Sequence, residues 1–411
     1  MTETLKPRDA ADALEAVRAA LAARRTLELA GHGTRRAYGR PVRADAVLDL
    51  SALSGIVAYE PEELVLTLCP ATPMAALRDL LAGRRQHLAF EPPDFGPLWG
   101  LPAGQGTLGG ALGLGLGGPR RIQAGGPRDH FLGLKGVNGF GEAFAAGGRV
   151  VKNVTGYDLP KLLAGSLGTL AVLTEVTVKV LPAPPQTLTL VLPGLSDEAA
   201  VAAMTAGLNS PAEISGAAHL PAGIAAKSRI AAISGAGAAV TLLRLEGVGP
   251  SVEARAAALR GLLAEAAPEV GRLETEDSVS LWQEVADARY FVDEPERIVW
   301  RLSLPPSLGV GVARRIADGA DCRVYYDWGG GALWLSAAPA SDGHEAVIRG
   351  ALRDVAGGDG HATLIRGPAA LRERVPPLQP LAPGLDALTR RVKQQFDPQG
   401  LFNPGRMYEG L

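Results

Sequence analysis

A chain of 411 residues exceeds what one hydrophobic core usually serves, so more than one folded unit is expected. Its 41 Lys+Arg against 43 Asp+Glu give a net charge of -2, which offers no field for nucleic-acid phosphates or an anionic membrane surface. The two cysteines, Cys69 and Cys322, lie far apart and form no C-x-x-C, which excludes iron–sulfur and zinc-finger sites by ligand count.

Glu3, Asp9, Asp12 and Glu15 stand where an export signal needs a basic start and an apolar run, so a reduced cytoplasmic protein is expected. Residues 8–25 read as an amphipathic, alanine-rich helix and residues 26–30 as a short strand. That strand runs into Gly31-His32-Gly33-Thr34-Arg35, whose successive amides and hydroxyl can form a concave anion site for a pyrophosphate. Taken alone, the run fits an ordinary strand-to-loop turn at least as well. Strands are expected next at 46–50 and 64–68, and a helix at 74–81.

A second glycine element follows. Glycine makes up 52 of the 411 residues, nearly twice the usual share of about 7%, and it punctuates apolar segments instead of scattering with Ser and Gln. Residues 95–119 carry no charge and show G-x-x-x-G spacings, but Pro97, Pro102, Gln105 and the glycines spoil a membrane helix. Gly106-Thr107-Leu108-Gly109-Gly110 leads to Gly117-Gly118-Pro119-Arg120-Arg121 and then to Gly126-Pro127-Arg128-Asp129. Missing Cβ atoms let a flat ring and a ribityl chain lie against backbone, so alanine at Gly109 or Gly110 is expected to clash. Neither block opens a long helix with an acid about 20 residues on, and no G-K-[ST] occurs, so Rossmann and P-loop readings fail. Arg120 and Arg121 suit a substrate carboxylate, a cofactor phosphate or plain solvation. Strands at 149–151 and 170–181 complete an α+β first unit over residues 1–182.

Pro182, Pro184 and Pro185 mark a boundary at 182–186. Residues 187–367 then alternate strand and helix, as expected for a second α+β unit, cap-like, with a helix-covered antiparallel sheet. After a proline-rich stretch at 368–383, residues 384–411 end in Phe396-Asp397-Pro398-Gln399-Gly400-Leu401-Phe402-Asn403-Pro404-Gly405-Arg406, tight-turned and apolar enough to pack back onto the first unit.

The third block makes the reading specific. Val151-Lys152-Asn153-Val154-Thr155-Gly156-Tyr157-Asp158-Leu159 with Lys161-Leu162 continues into Gly165-Ser166-Leu167-Gly168-Thr169-Leu170 and Glu175-Val176. In this order the blocks resemble the FAD domain of the vanillyl-alcohol-oxidase and p-cresol-methylhydroxylase superfamily. With Phe90-Glu91-Pro92-Pro93 and the closing F-N-P-G-R, they resemble more narrowly the GlcE subunit family of glycolate oxidases. The resemblance covers the first 182 residues and the tail. It implies a two-subdomain FAD-binding domain, with Gly31 to Arg35 on the pyrophosphate. Thr107 to Gly110 and Gly117-Gly118 would lie along the ribityl chain and isoalloxazine, and the backbone at Glu175-Val176 at the adenine. Gly106, Arg120, Arg121, Asp129, Lys152 and Gly168 complete the candidate cofactor-binding set. Relatives that attach FAD covalently through the first loop carry histidine two residues after its glycine, where Gly33 stands here, so FAD is expected to be non-covalent. One departure is Pro70-Ala71-Thr72-Pro73, where relatives show an A-G-T-like turn.

Oxidation of an α-hydroxy acid by flavin needs a base, a cation for the carboxylate and a positioned carbon. The six histidines, His32, His87, His130, His219, His344 and His361, are isolated, so no metal site is expected and no catalytic residue is assigned. Asp158 and Lys161 read more simply as a helix-starting charge pair, and the tryptophans of the second unit as core. The resemblance therefore implies an FAD subunit of a glycolate oxidase complex oxidising a small 2-hydroxy acid. Its partners would be a homologous catalytic flavoprotein and an iron–sulfur subunit, and any contact with the inner membrane would run through them. A free-standing FAD oxidoreductase and a flavoprotein with purely structural FAD are the alternatives.

Overall fold

The computed structural model describes residues 3–149 and 156–411. The first unit holds two sheets. A five-stranded antiparallel sheet runs in the spatial order Ile56–Glu60, Val65–Leu68, Ala171–Lys179, Phe131–Asn138, Ala143–Gly147. Its centre is AVLTEVTVK, rich in β-branched residues and hydrogen-bonded on both sides, as a strand buried on its faces should be. A three-stranded parallel sheet joins Glu3–Leu5, Ala46–Asp49 and Leu27–Ala30. The helix Ala10–Ala22, N-capped by Asp9, buries Ala13, Val17 and Ala20 in a core shared with Leu27, Leu48, Val137 and Val172 from the two sheets.

The glycine-rich block forms a short helix, Leu108–Leu114, which sequence reading did not assign. The Thr107 hydroxyl caps it by accepting the Gly110 amide at 3.2 Å, and Gly115 ends it at φ 67°. Two close approaches offset the glycines' weak helix propensity. A Cβ at Gly109 would stand 2.7 Å from Pro70 Cβ, and one at Gly115 would stand 2.9 Å from Gly165 Cα. The block is helical because helix here lets two backbones touch.

The second unit is an eight-stranded antiparallel sheet in the order Gly271–Leu273, Gln186–Pro193, Val240–Gly247, Gly216–Leu220, Cys322–Asp327, Ala332–Ala337, Ile298–Ser303, His361–Arg366. Helices Asp197–Leu208, Gly249–Leu263, Gly309–Ala317 and Glu345–Ala356 cover one face. The strand period of two divides Ile298–Ser303 cleanly. Ile298, Trp300 and Leu302 pack under the helices, while Val299 joins the core that includes Tyr38, Phe95, Leu98 and Leu114 of the first unit. Strand Gly216–Leu220 and helix Thr275–Ala286 went unread in the sequence. The strand is small-residue GAAHL with little β preference, and the helix is mostly polar.

The tail returns to the first unit. Leu27 N–H donates to Leu401 O at 2.7 Å, Asn403 N–H to Leu27 O at 2.9 Å, and Leu29 N–H to Asn403 Oδ1 at 2.8 Å. Lys393, almost fully buried, is fixed by Thr169 O, Phe402 O and Asp397 Oδ2. Among the described residues no helix is long and apolar enough to cross a membrane.

Candidate cofactor site

Strand Leu27–Ala30 ends at a cleft of about 930 Å³ that opens to solvent. Its walls come from four segments. Gly31, His32, Gly33, Thr34 and Arg35 form the first, Pro70-Ala71 with Thr107, Gly109, Gly110, Gly113 and Leu114 the second, Leu163 to Gly168 with Ala171 and Leu173 the third, and Asn403 with Arg406 the fourth.

The first loop turns at Gly33, φ 72°, and closes through Arg36 N–H to Gly33 O and Tyr38 N–H to Arg35 O. Among the described residues the amides of Gly31, His32, Gly33, Thr34 and Arg35 find no protein acceptor, so all five stay available to a ligand. Arg35 donates through Nη2 to Pro93 O at 3.2 Å, while its buried Nε and Nη1 have no partner. Arg406 donates through Nη2 to Arg35 O at 2.7 Å and leaves Nε buried and unpaired. Burial pushes both guanidinium groups down to about 10, so both stay charged at neutral pH. A buried donor without an acceptor costs about 1–3 kcal/mol, and an anionic ligand in the cleft would remove that cost. Free amides, glycine surfaces and two unsatisfied cations fit a dinucleotide pyrophosphate.

Several candidates lie elsewhere. Gly106 adjoins the cleft through Arg35 Nη2, 3.3 Å from where its Cβ would be, while Leu108 is fully buried in the core behind it. Gly117 presses against Phe90 O within the first unit, while Gly118 presses against Glu91 O and Ala286 Cβ and its carbonyl accepts Trp328 Nε1–H at 3.1 Å, so Gly118 serves packing between the units. Arg120 is committed to Glu246 at 2.6 Å and Glu91 at 3.3 Å instead of a cofactor phosphate. Arg121 lies over the Trp328 ring at 4.7 Å. Asp129 accepts the Gly126 amide at 2.8 Å as a helix cap. Glu175 pairs with the exposed Lys135 at 3.0 Å. Val176 is paired with Leu134 on one side and Leu68 on the other, so the ladder already occupies its backbone. Lys152 lies outside the described residues.

Sequence reading did not select Asn403 and Arg406, although the closing F-N-P-G-R was visible. Asn403 Nδ2 donates to Leu167 O at 2.7 Å and sits beside Gly168, φ 68°, where a Cβ would come within 2.8 Å of it. The histidines mostly have protein partners. His130 faces Ala124 O, His219 faces Thr241 and Asp197, and His344 faces Ala338 O. Among the described residues no group of three His, Cys, Asp or Glu could hold a metal. Asp158 caps its helix and pairs with Lys161 at 2.6 Å on the surface.

The family model for an FAD binding domain matches residues 3–147. Glycolate oxidase subunit GlcE of Escherichia coli (strain K12) is 31% identical over 401 residues, covering 97% of this chain and 97% of that protein. Glycolate oxidase subunit GlcD of Bacillus subtilis (strain 168) is 32% identical over 157 residues, covering 38% of this chain and 31% of that one. Among solved structures, p-cresol methylhydroxylase with substrate bound matches with a TM-score of 0.74 at 15% identity, covering 99% of this chain and 88% of that chain, which shows the fold.

Proposed function

Because this chain belongs to the GlcE family of FAD-dependent oxidoreductase subunits, we propose that its cleft holds FAD non-covalently for the oxidation of glycolate or a related small 2-hydroxy acid. The observation that carries this is the loop of five free amides set against the unpaired donors of Arg35 and Arg406. Those groups would hold the pyrophosphate, and Thr107 with Gly109 and Gly110 would bring backbone against the cofactor. Bound FAD supplies a two-electron acceptor. The chain supplies binding and orientation through residues of the first unit and the tail.

Catalysis needs a homologous flavoprotein subunit, and electrons leave through an iron–sulfur subunit. What supports this division is that His130, His219 and His344 are tied to protein groups, while His32 is exposed with Nδ1 3.2 Å from Gln105 O. The complex is cytoplasmic, and any membrane contact is made through partners. Anaerobic addition of glycolate to the purified chain tests the assignment through flavin absorbance. The account expects no bleaching alone and bleaching after the companion subunits are added. Bleaching of the chain alone would show a free-standing enzyme, and flavin that never reduces in an active complex would show a structural cofactor.

A further inference from the structure

The inner face of the second unit carries a group of polar side chains that the cofactor cleft does not use. Strand Ile298–Ser303 presents Arg301 toward the first unit, with its guanidinium 4.8 Å from the Trp328 ring centre and 5.7 Å from that of Trp334. Arg121 of the first unit lies over the same Trp328 ring at 4.7 Å. Two cations therefore share one indole. Neither forms an ion pair or a side-chain hydrogen bond among the described residues, and Arg301 Nη1 is buried without a partner. Tyr38, buried at 3% exposure and within charge reach of Arg301, also has no partner for its hydroxyl among the described residues.

Two other buried arginines of the second unit, Arg366 and Arg244, have their donors engaged instead. Arg366 donates to the carbonyls of Arg297, Leu98, Phe291 and Glu294, as a structural arginine does. Arg244 is saturated by Glu91 and Ser215. Stacking on an indole engages the guanidinium face and leaves its in-plane N–H donors free, an arrangement suited to a planar carboxylate. Asp327 lies within charge reach of Arg301 but makes no ion pair with it, and its Oδ1 accepts the Trp328 amide at 2.7 Å. The turn that presents the indole is strained. Trp328, a bulky residue at φ 53°, is followed by Gly329 at 66° and Gly330 at 102°. Left-handed backbone at a large aromatic costs about 1–3 kcal/mol and tends to persist where position matters.

We propose that Arg301 and Arg121, stacked on Trp328 beside the Tyr38 hydroxyl, form a recognition site for a small carboxylate at the junction of the two units. The site adjoins the cofactor cleft through one loop, since Tyr38 lies three residues after Arg35 and packs in the same apolar cluster as Leu114 of the cleft wall. Arg121 is exposed and gives the ligand an entry from solvent. The identity of the anion as a 2-hydroxy acid rests on the oxidation proposed above; the site itself does not.

Calorimetric titration of the full chain with oxalate, followed in parallel by tryptophan fluorescence, tests the site directly. Saturable binding is expected, weakened about ten- to hundredfold by Arg301→Met and partly restored by Arg301→Lys. Arg314→Met, on an exposed side chain away from the site, should bind as the parent does. If Arg301→Met does not fold, Arg121→Met on the exposed side must show the loss. Unchanged affinity in a folded variant at either position would overturn the site, as would an absence of oxalate binding to the parent. Sulfate competing as well as oxalate would overturn the carboxylate assignment. Arginine-dependent oxalate binding in a complex that never oxidises glycolate would reject the oxidation and leave the site standing.

Discussion

Arg35 in the cleft and Arg244 at the junction of the two units are both largely buried guanidinium groups, yet they are treated in opposite ways. Arg244 meets Glu91 at 2.7 Å in a cluster that also ties Arg120 to Glu246 at 2.6 Å, so the charges there neutralise one another. Arg35 has a single carbonyl partner and two buried nitrogens without any. Both regions hold buried charge, and what separates them is saturation. A saturated cluster holds two units together, whereas an unsaturated one waits for something outside the chain. Counting charges in the sequence cannot separate the two, and Arg120 illustrates this, since a substrate carboxylate, a cofactor phosphate and plain solvation all suited it, yet it pairs with Glu246 and Glu91 at the junction.

The contrast can be broken most strongly at Glu91. Glu91→Ala strands Arg244 without its carboxylate, while Arg120 keeps Glu246, and should cost about 3–5 kcal/mol of stability by denaturant unfolding. A loss under 1 kcal/mol would show that the cluster does not couple the units. Arg35→Met should do the reverse. It removes an already unsatisfied cation, so stability of the flavin-free chain should stay within about 1 kcal/mol, while FAD affinity should fall at least tenfold by fluorescence titration. Equal FAD affinity would remove Arg35 from the cofactor site.

Acid should loosen the junction before the cleft. Burial acts to raise Glu246, but Arg244 and Arg120 outweigh it and hold the carboxyl down to about 2, against 4.5 as its ordinary value. A lowered folded value means the contribution is fully present above pH 4.5 and is lost as pH falls toward 2. Melting temperature should drop across that window in the parent and less in Glu246→Gln, and parallel curves would contradict the assignment. The smallest effect is expected at His32→Gly. His32 is exposed and touches only Gln105 O, so FAD affinity should change less than twofold.

Where sequence periodicity was strong, the elements were legible. The expected strand at 170–181 corresponds to Ala171–Lys179, and the expected helix at 74–81 to Met74–Ala82. A weakly patterned element was not, because Gly216–Leu220, GAAHL, owes its strand form to neighbours in the sheet. In the site, the loop from Gly31 to Arg35 stood out only in company, since by itself a glycine run after a strand fits an ordinary turn as well. Asn403 and Arg406 reach the cleft only through tail packing some 370 residues away in sequence, from Leu29 to Asn403 and Arg35 to Arg406, which no local pattern encodes. Glu175 and Val176 lie on the central strand, where Val176 is paired on both sides and Glu175 on one, a placement that no local pattern encodes.

The central claim is that the cleft between Gly31 and Arg406 holds FAD without a covalent bond, and flavin analysis of the gently purified chain tests it most directly. The account predicts equimolar FAD that passes entirely into solution on acid denaturation. A chain free of flavin that cannot be reconstituted with added FAD would contradict it, as would flavin that stays with the precipitated protein.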